Sequence, residues 1–267
     1  MTGRYLVLGM IAGLIAGVLA FGVGKVWGEP PVAAAIALEE AGAPAAPEHA
    51  HDHGHDAPTA AATAEPEPAG HSHSHGEGEG ISRATQAGIG LLTGMAVFGA
   101  GLGGLFALVF AFVQGRFSHL GARATAGVMA VLGYVSVVLV PFLKYPANPP
   151  AVGHGETIGL RTQMFFAMMA LSLIAMVIAV AVARSGRDRW RAGILGGLAY
   201  LVLVVVAGLV LPAINEVPAG FPGDLLWQFR SVSLVIVAML WAGIGLIFGQ
   251  LVQGSLARDP GLRQRLA

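Results

Sequence analysis

The chain has 267 residues, 55% of them hydrophobic and 11% charged, with a mean hydropathy of +0.71 and a formal net charge of zero. Soluble domains carry about 25% charged residues, so a soluble enzyme is excluded, as are a disordered protein and a nucleic-acid binder, which needs a basic excess. The absence of cysteine removes disulfides, thiolate metal sites, iron–sulfur clusters and cysteine nucleophiles.

A run of about 20 apolar residues crosses about 30 Å of hydrocarbon. Six such runs recur, at 5–27, 86–113, 121–143, 163–183, 192–212 and 230–252. The expected fold is an all-α polytopic bundle of about six transmembrane helices. The fourth and fifth runs, MFFAMMALSLIAMVIAVAVA and ILGGLAYLVLVVVAGLVL, hold no ionisable residue. The first follows Arg4 and invites a signal-peptide reading. Its apolar core is too long for that, and no clear A-x-A site follows, so a retained helix is expected. The chain then divides into residues 1–38 (first helix and short outer segment), 39–80 (outer loop), 81–252 (five-helix bundle) and 253–267 (tail).

Lysines and arginines near span ends set orientation. With the N-terminus inside, ten of them fall on the inner side and five on the outer, whereas thirteen of fifteen acids fall outside. The inner side is then +8 and the outer −8, with both termini cytoplasmic. Glycines four apart (Gly9, Gly13, Gly17; Gly90/Gly94; Gly99/Gly103; Gly245/Gly249) mark helix faces that permit close packing within one bundle.

Residues 39–80 change abruptly to Ala, Pro, Gly, Glu, Asp and His, a composition that cannot form a core, so a disordered outer loop is expected. Seven of the nine histidines fall in it within 27 residues: His49, His51, His53, His55, His71, His73 and His75. Neutral imidazole suits cobalt, nickel, copper and zinc, and the intervening carboxylates add oxygen ligands and a negative field. A flexible H-x-H-x-H chain wraps a divalent cation without a preformed geometry, which suits weak capture following the Irving–Williams order.

Each outer loop ends on a carboxylate followed by an arginine that opens the next helix: Glu79…Arg83, Glu156…Arg161 and Asp224…Arg230. A cation there opposes both the helix dipole and the positive-inside bias, so a compensating anion is required, and the preceding carboxylate is the nearest. The shared punctuation suggests a threefold array of helical hairpins. With Lys144, Asn148, Asn215 and Glu216 these groups would form a polar outer vestibule. His154 beside Glu156 is a candidate metal-ligand pair, set against an ordinary exposed loop histidine.

Several segments carry a family resemblance: VWGEPPVAAAIALEEA (26–41), ISRATQAGIGLLTG (81–94), GGLFALVFAFVQGR (103–116), LVPFLKYPANPPAVGHGETIGLRTQMFF (139–166) and LPAINEVPAGFPGDLLWQFRSVSL (211–234). Together with the final span they resemble CbtA, the cobalt-transporter membrane subunit of bacteria. The resemblance implies cobalt uptake across the inner membrane in support of cobalamin synthesis. It also implies a small one-span, histidine-bearing partner, CbtB, and a family usually described with five spans against the six counted here.

No G-x-x-x-x-G-K-[ST] motif is present. Inward movement of a dication is favoured by about 4.6 kcal/mol per 100 mV, so the membrane potential suffices as a driving force. No H-E-x-x-H, paired acidic motif or nucleophile with a base marks any span, and the chain reads as a non-enzyme with no organic cofactor. The mid-membrane heteroatoms are neutral, among them Met95, Met164, Met168, Ser136, Ser172 and Ser233. That leaves two readings: a cobalt permease subunit, completed by an oligomer or its partner, and an accessory protein that captures or senses metal without conducting it.

Overall fold

A computed structural model describes residues 2–42, 82–118, 120–153 and 155–258. It is all-helical, with six helices long and apolar enough to cross a membrane: α1 Thr2–Gly42, α2 Arg83–Val113, α3 Ala122–Lys144, α4 Gly155–Ser185, α5 Arg189–Val210 and α6 Gly223–Arg258. Each covers one of the six expected runs. Four extend well past the apolar core into polar residues at one or both ends.

Local chemistry sets several boundaries. Ser82 caps α2 by accepting from the Thr85 amide, and Asp188 caps α5 by accepting from Trp190 and Arg191. The X-Pro step at Tyr145-Pro146 ends α3. By contrast, Glu29-Pro30-Pro31 does not end α1. Just before it, Gly24–Gly28 widens to a π-helical turn, in which the Glu29 amide reaches back to the Gly24 carbonyl. The prolines, which have no N–H to give, follow that widened turn, and the helix continues to Gly42. The segment after the first span is therefore helix, including residues 39–42, which were expected to begin the disordered loop. Similar π-helical turns interrupt α2 at Gln86–Gly90 and α3 at Tyr134–Leu139, and Gly88 in α2 is non-helical at φ −100°, ψ −105°.

The helices pack in the order α2, α1, α6, α3, α4, α5. The antiparallel α1–α2 seam is the closest approach. A methyl group at Gly9 or Gly13 would strike the backbone of Gly103 or Gly99, and one at Gly17 the backbone of Met95. Only hydrogen at these positions allows such contact, which in lipid replaces the missing hydrophobic drive with van der Waals packing. Gly245 and Gly249 do the same against Ala126, Ala130 and Arg123 of α3. Gly94, by contrast, faces open space. Between α1, α2 and α6 lies an aromatic core: Phe106 meets Trp241 and Phe248 edge to face at 6.4 and 5.6 Å, and Phe110 meets Phe248 at 5.0 Å.

The threefold hairpin array is not found. Among the described residues α1–α2 and α3–α4 pack as neighbours, but α5 packs on α4 while α6 packs on α1 and α3. The short repeated motifs at the loops reflect similar helix entries, not similar hairpins.

Candidate functional site

The α3–α4 and α5–α6 loops meet at one end of the bundle and carry a buried carboxylate. Glu216, 4% exposed, sits in the segment between α5 and α6. The Asn148 amide donates to its Oε2 at 3.0 Å, the Thr157 hydroxyl donates to Oε1, and the Arg161 guanidinium pairs with Oε2 at 3.4 Å. Arg161 also donates to the Pro146 carbonyl. Arg230, on the first turns of α6, donates to the Ala147 carbonyl at 3.2 Å and to Asn148 Oδ1 at 3.0 Å. One carboxylate thus holds both loops and the start of α4, and through Asn148 the start of α6.

Nearby, Tyr145 donates to the Pro212 carbonyl at 2.7 Å, a second tie between the same loops. Burial pushes its phenol above the ordinary tyrosine range, so it stays protonated and a donor. In these loops Ala151 takes the left-handed conformation at φ 64°, and Gly153 and Gly220 supply positive φ at 137° and 90°. A cleft outside the Glu216 network is walled by Leu38 and Glu39 of α1, Val152, Ile158 and Phe221.

Four expected vestibule residues (Asn148, Arg161, Glu216 and Arg230) therefore converge, and Thr157 joins them. Thr157 was legible as a hydroxyl one turn before Arg161, but nothing in the sequence pointed it at Glu216. The remaining residues do not join this network. Asn215 is exposed and accepts from the Val217 amide at 3.3 Å, Glu156 and Asp224 are exposed, and the Lys144 ammonium lies 5.9 Å from the Tyr145 ring. Arg83 stands apart, paired with Glu29 of α1 at 2.7 Å. Glu79, His154 and the seven histidines from His49 to His75 lie outside the described residues.

Arg161 and Arg230 find compensating groups other than the expected ones, whereas the expected partner of Arg83, Glu79, lies outside the described residues. Arg161 pairs with Glu216 rather than Glu156, Arg230 with Asn148 and a carbonyl rather than Asp224, and Arg83 with Glu29. Glu156 and Asp224 lie exposed in the first turns of α4 and α6 themselves, whereas Arg161 and Arg230 turn to partners on other segments. With two guanidiniums to one carboxylate the cluster carries one excess positive charge. Its carboxylate is already engaged by three side chains, so it reads as a clamp on the loops and not as an open cation ligand.

The inner heteroatoms are mostly committed as well. Ser172 bonds the Tyr200 hydroxyl at 2.8 Å, Ser136 bonds the Leu132 carbonyl at 2.7 Å, and Met168 is buried against Val140 and Tyr145 with Met164 alongside. Among the described residues no three His, Asp or Glu side chains converge as a metal centre.

Six span-length apolar helices, four of them tied at one end by a buried polar clamp on their loops, define a multi-pass membrane protein. Residues 2–253 match the family model of the probable cobalt transporter subunit (CbtA), and the chain belongs to that family. Cobalt is the transported substrate that the family implies, and the family is one of transporters, not of enzymes. The chain matches no curated protein and no solved structure.

Proposed function

We propose that the chain is the membrane-embedded subunit of a cobalt uptake system serving cobalamin synthesis, with the histidine tract of residues 49–75 as its metal-capture loop. The family match over residues 2–253, on a chain with six span-length helices, is the observation that carries this reading. The charge asymmetry supports a bacterial inner-membrane topology with both termini in the cytoplasm and the histidine tract outside, where ions arrive. His49, His51, His53, His55, His71, His73 and His75 concentrate divalent cations loosely, nickel, zinc and copper as well as cobalt. The Glu216 clamp keeps the loop ends in register at the mouth, and His154 with Glu156 offers a further pair of donors there. A one-span, histidine-bearing CbtB-type subunit, or a second copy of this chain, completes the assembly.

Entry is downhill at an inside-negative potential, so no nucleotide is required of this subunit. The decisive experiment is radiolabelled Co2+ uptake into proteoliposomes, with this chain alone and with its one-span partner, at a set potential. Potential-dependent uptake in either case is expected. Co2+ binding without uptake in both would overturn the permease reading in favour of an accessory capture protein. Reporter fusions that put residues 49–75 on the cytoplasmic side would overturn the topology.

A further inference from the structure

A second carboxylate at the same end of the bundle is placed differently from Glu216. Glu29 lines a cavity framed by α1, α2 and α6, together with Gly24, Gly28, Met95 and Ser233, and the rest of its wall is apolar. From Glu29 to Gly24 the cavity follows α1 inward by about 7 Å at about 1.5 Å per residue. The two glycines of the π-helical turn leave the space, and Met95 and Ser233 put a thioether and a hydroxyl on the wall. Deeper between the same three helices the space is filled by Phe106, Trp241 and Phe248.

Among the described residues Glu29 has one ion-pair partner, Arg83, at 2.7 Å, and the two side chains are 20% and 43% exposed. Lys25, one turn back on α1, is turned to the Ala87 carbonyl at 3.0 Å. We infer that this cavity is a binding step for a partly hydrated divalent cation, with the Glu29 carboxylate as its charged ligand and Arg83 as the tethered cation that the ion displaces. The inference rests on the permease reading above and adds a site to it.

The chemistry is graded for transit. One carboxylate, a hydroxyl whose proton is already given to the Phe229 carbonyl at 2.7 Å, and retained waters hold a dication weakly enough to release it. A soft thioether favours a transition metal over Mg2+ or Ca2+. Arg83 prevents the carboxylate from standing unpaired when no ion is bound, at the edge of the low-dielectric region.

The test is equilibrium binding of Co2+ to the full chain with the seven loop histidines replaced by alanine, so that capture does not mask the site. Glu29→Gln is expected to weaken the site tenfold or more, and Glu29→Asp to stay within about threefold of the parent. Arg83→Gln breaks the same ion pair but leaves the carboxylate, and is expected to tighten binding severalfold. Met95→Leu is expected to change the visible absorption of the bound Co2+. Equal losses in Glu29→Gln and Arg83→Gln would mean the pair is a brace, and an unchanged Glu29→Gln would mean the ion does not bind here. Either result overturns the site, and a loss of affinity in Arg83→Gln does so even where Glu29→Gln fails to fold. The two readings fail separately. Glu29-dependent binding with no uptake sinks the permease, whereas unaltered uptake by Glu29→Gln sinks the site alone.

Discussion

Glu216 and Glu29 stand at the same end of the bundle, and each meets an arginine, yet their surroundings assign them opposite work. Glu216 is buried and is engaged by three side chains, Asn148, Thr157 and Arg161. Glu29 keeps one ion pair and faces a cavity. The same side chain thus serves as a fastening where donors saturate it and as a ligand where they do not. Counting carboxylates at a membrane surface does not separate these cases, but counting the donors around each one does.

The largest expected effect tests the saturated carboxylate. Glu216→Ala leaves Arg161, Asn148 and Thr157 facing an empty place. It should cost about 3 kcal/mol, the lower end for breaking a buried pair because Arg161 keeps some access to water. Thermal unfolding in detergent should show the drop, with uptake falling in proportion to folded protein. Glu29→Gln reverses the pattern. Its melting temperature should stay close to the parent's, while uptake per folded molecule falls about tenfold, a free-energy change of about 1.4 kcal/mol.

A third variant removes the loop histidines. Replacing all seven with alanine should lower uptake severalfold at limiting Co2+ and leave the saturating rate unchanged, as loss of a concentrating step would. For the parent, that advantage should vanish as the pH falls below about 6.5, where imidazole protonates and ceases to be a ligand. A peptide of residues 39–80 that bound no Co2+ below millimolar at neutral pH would contradict it. The smallest effect is expected at the carboxylates beside the arginines in sequence. Asp224→Ala and Glu156→Ala, both exposed, should alter stability by less than about 0.5 kcal/mol.

The helices were legible because length and hydropathy alone identify a span, and the packing seams because glycines four apart have few other uses in lipid. The length of α1 was hidden by Glu29-Pro30-Pro31, which ordinarily marks a boundary. The π-helical turn that absorbs the prolines leaves no separate sequence mark. At the mouth, Asn148, Arg161, Glu216 and Arg230 were readable as polar groups in a polar place. Their pairing was not, because chain proximity suggested Glu156 and Asp224, whereas packing of distant loops chose Glu216. Glu29 was overlooked for the same reason: its importance comes from α2 and α6, which are 54 residues away and more.

The helix α5 has 22 residues, and only 6% of its most apolar stretch is buried, since among the described residues it packs mainly on α4. At about 1.5 Å per residue it is about 33 Å long, close to the thickness of hydrocarbon, whereas α6 with 36 residues is much longer than that thickness. Lipid acyl length therefore acts on α5 first: a thicker or thinner bilayer is accommodated by tilting this outlying helix. Its tilt reaches α4, and through Thr157 and Arg161 the carboxylate of Glu216, which makes the clamp at the mouth sensitive to the thickness of the membrane around it.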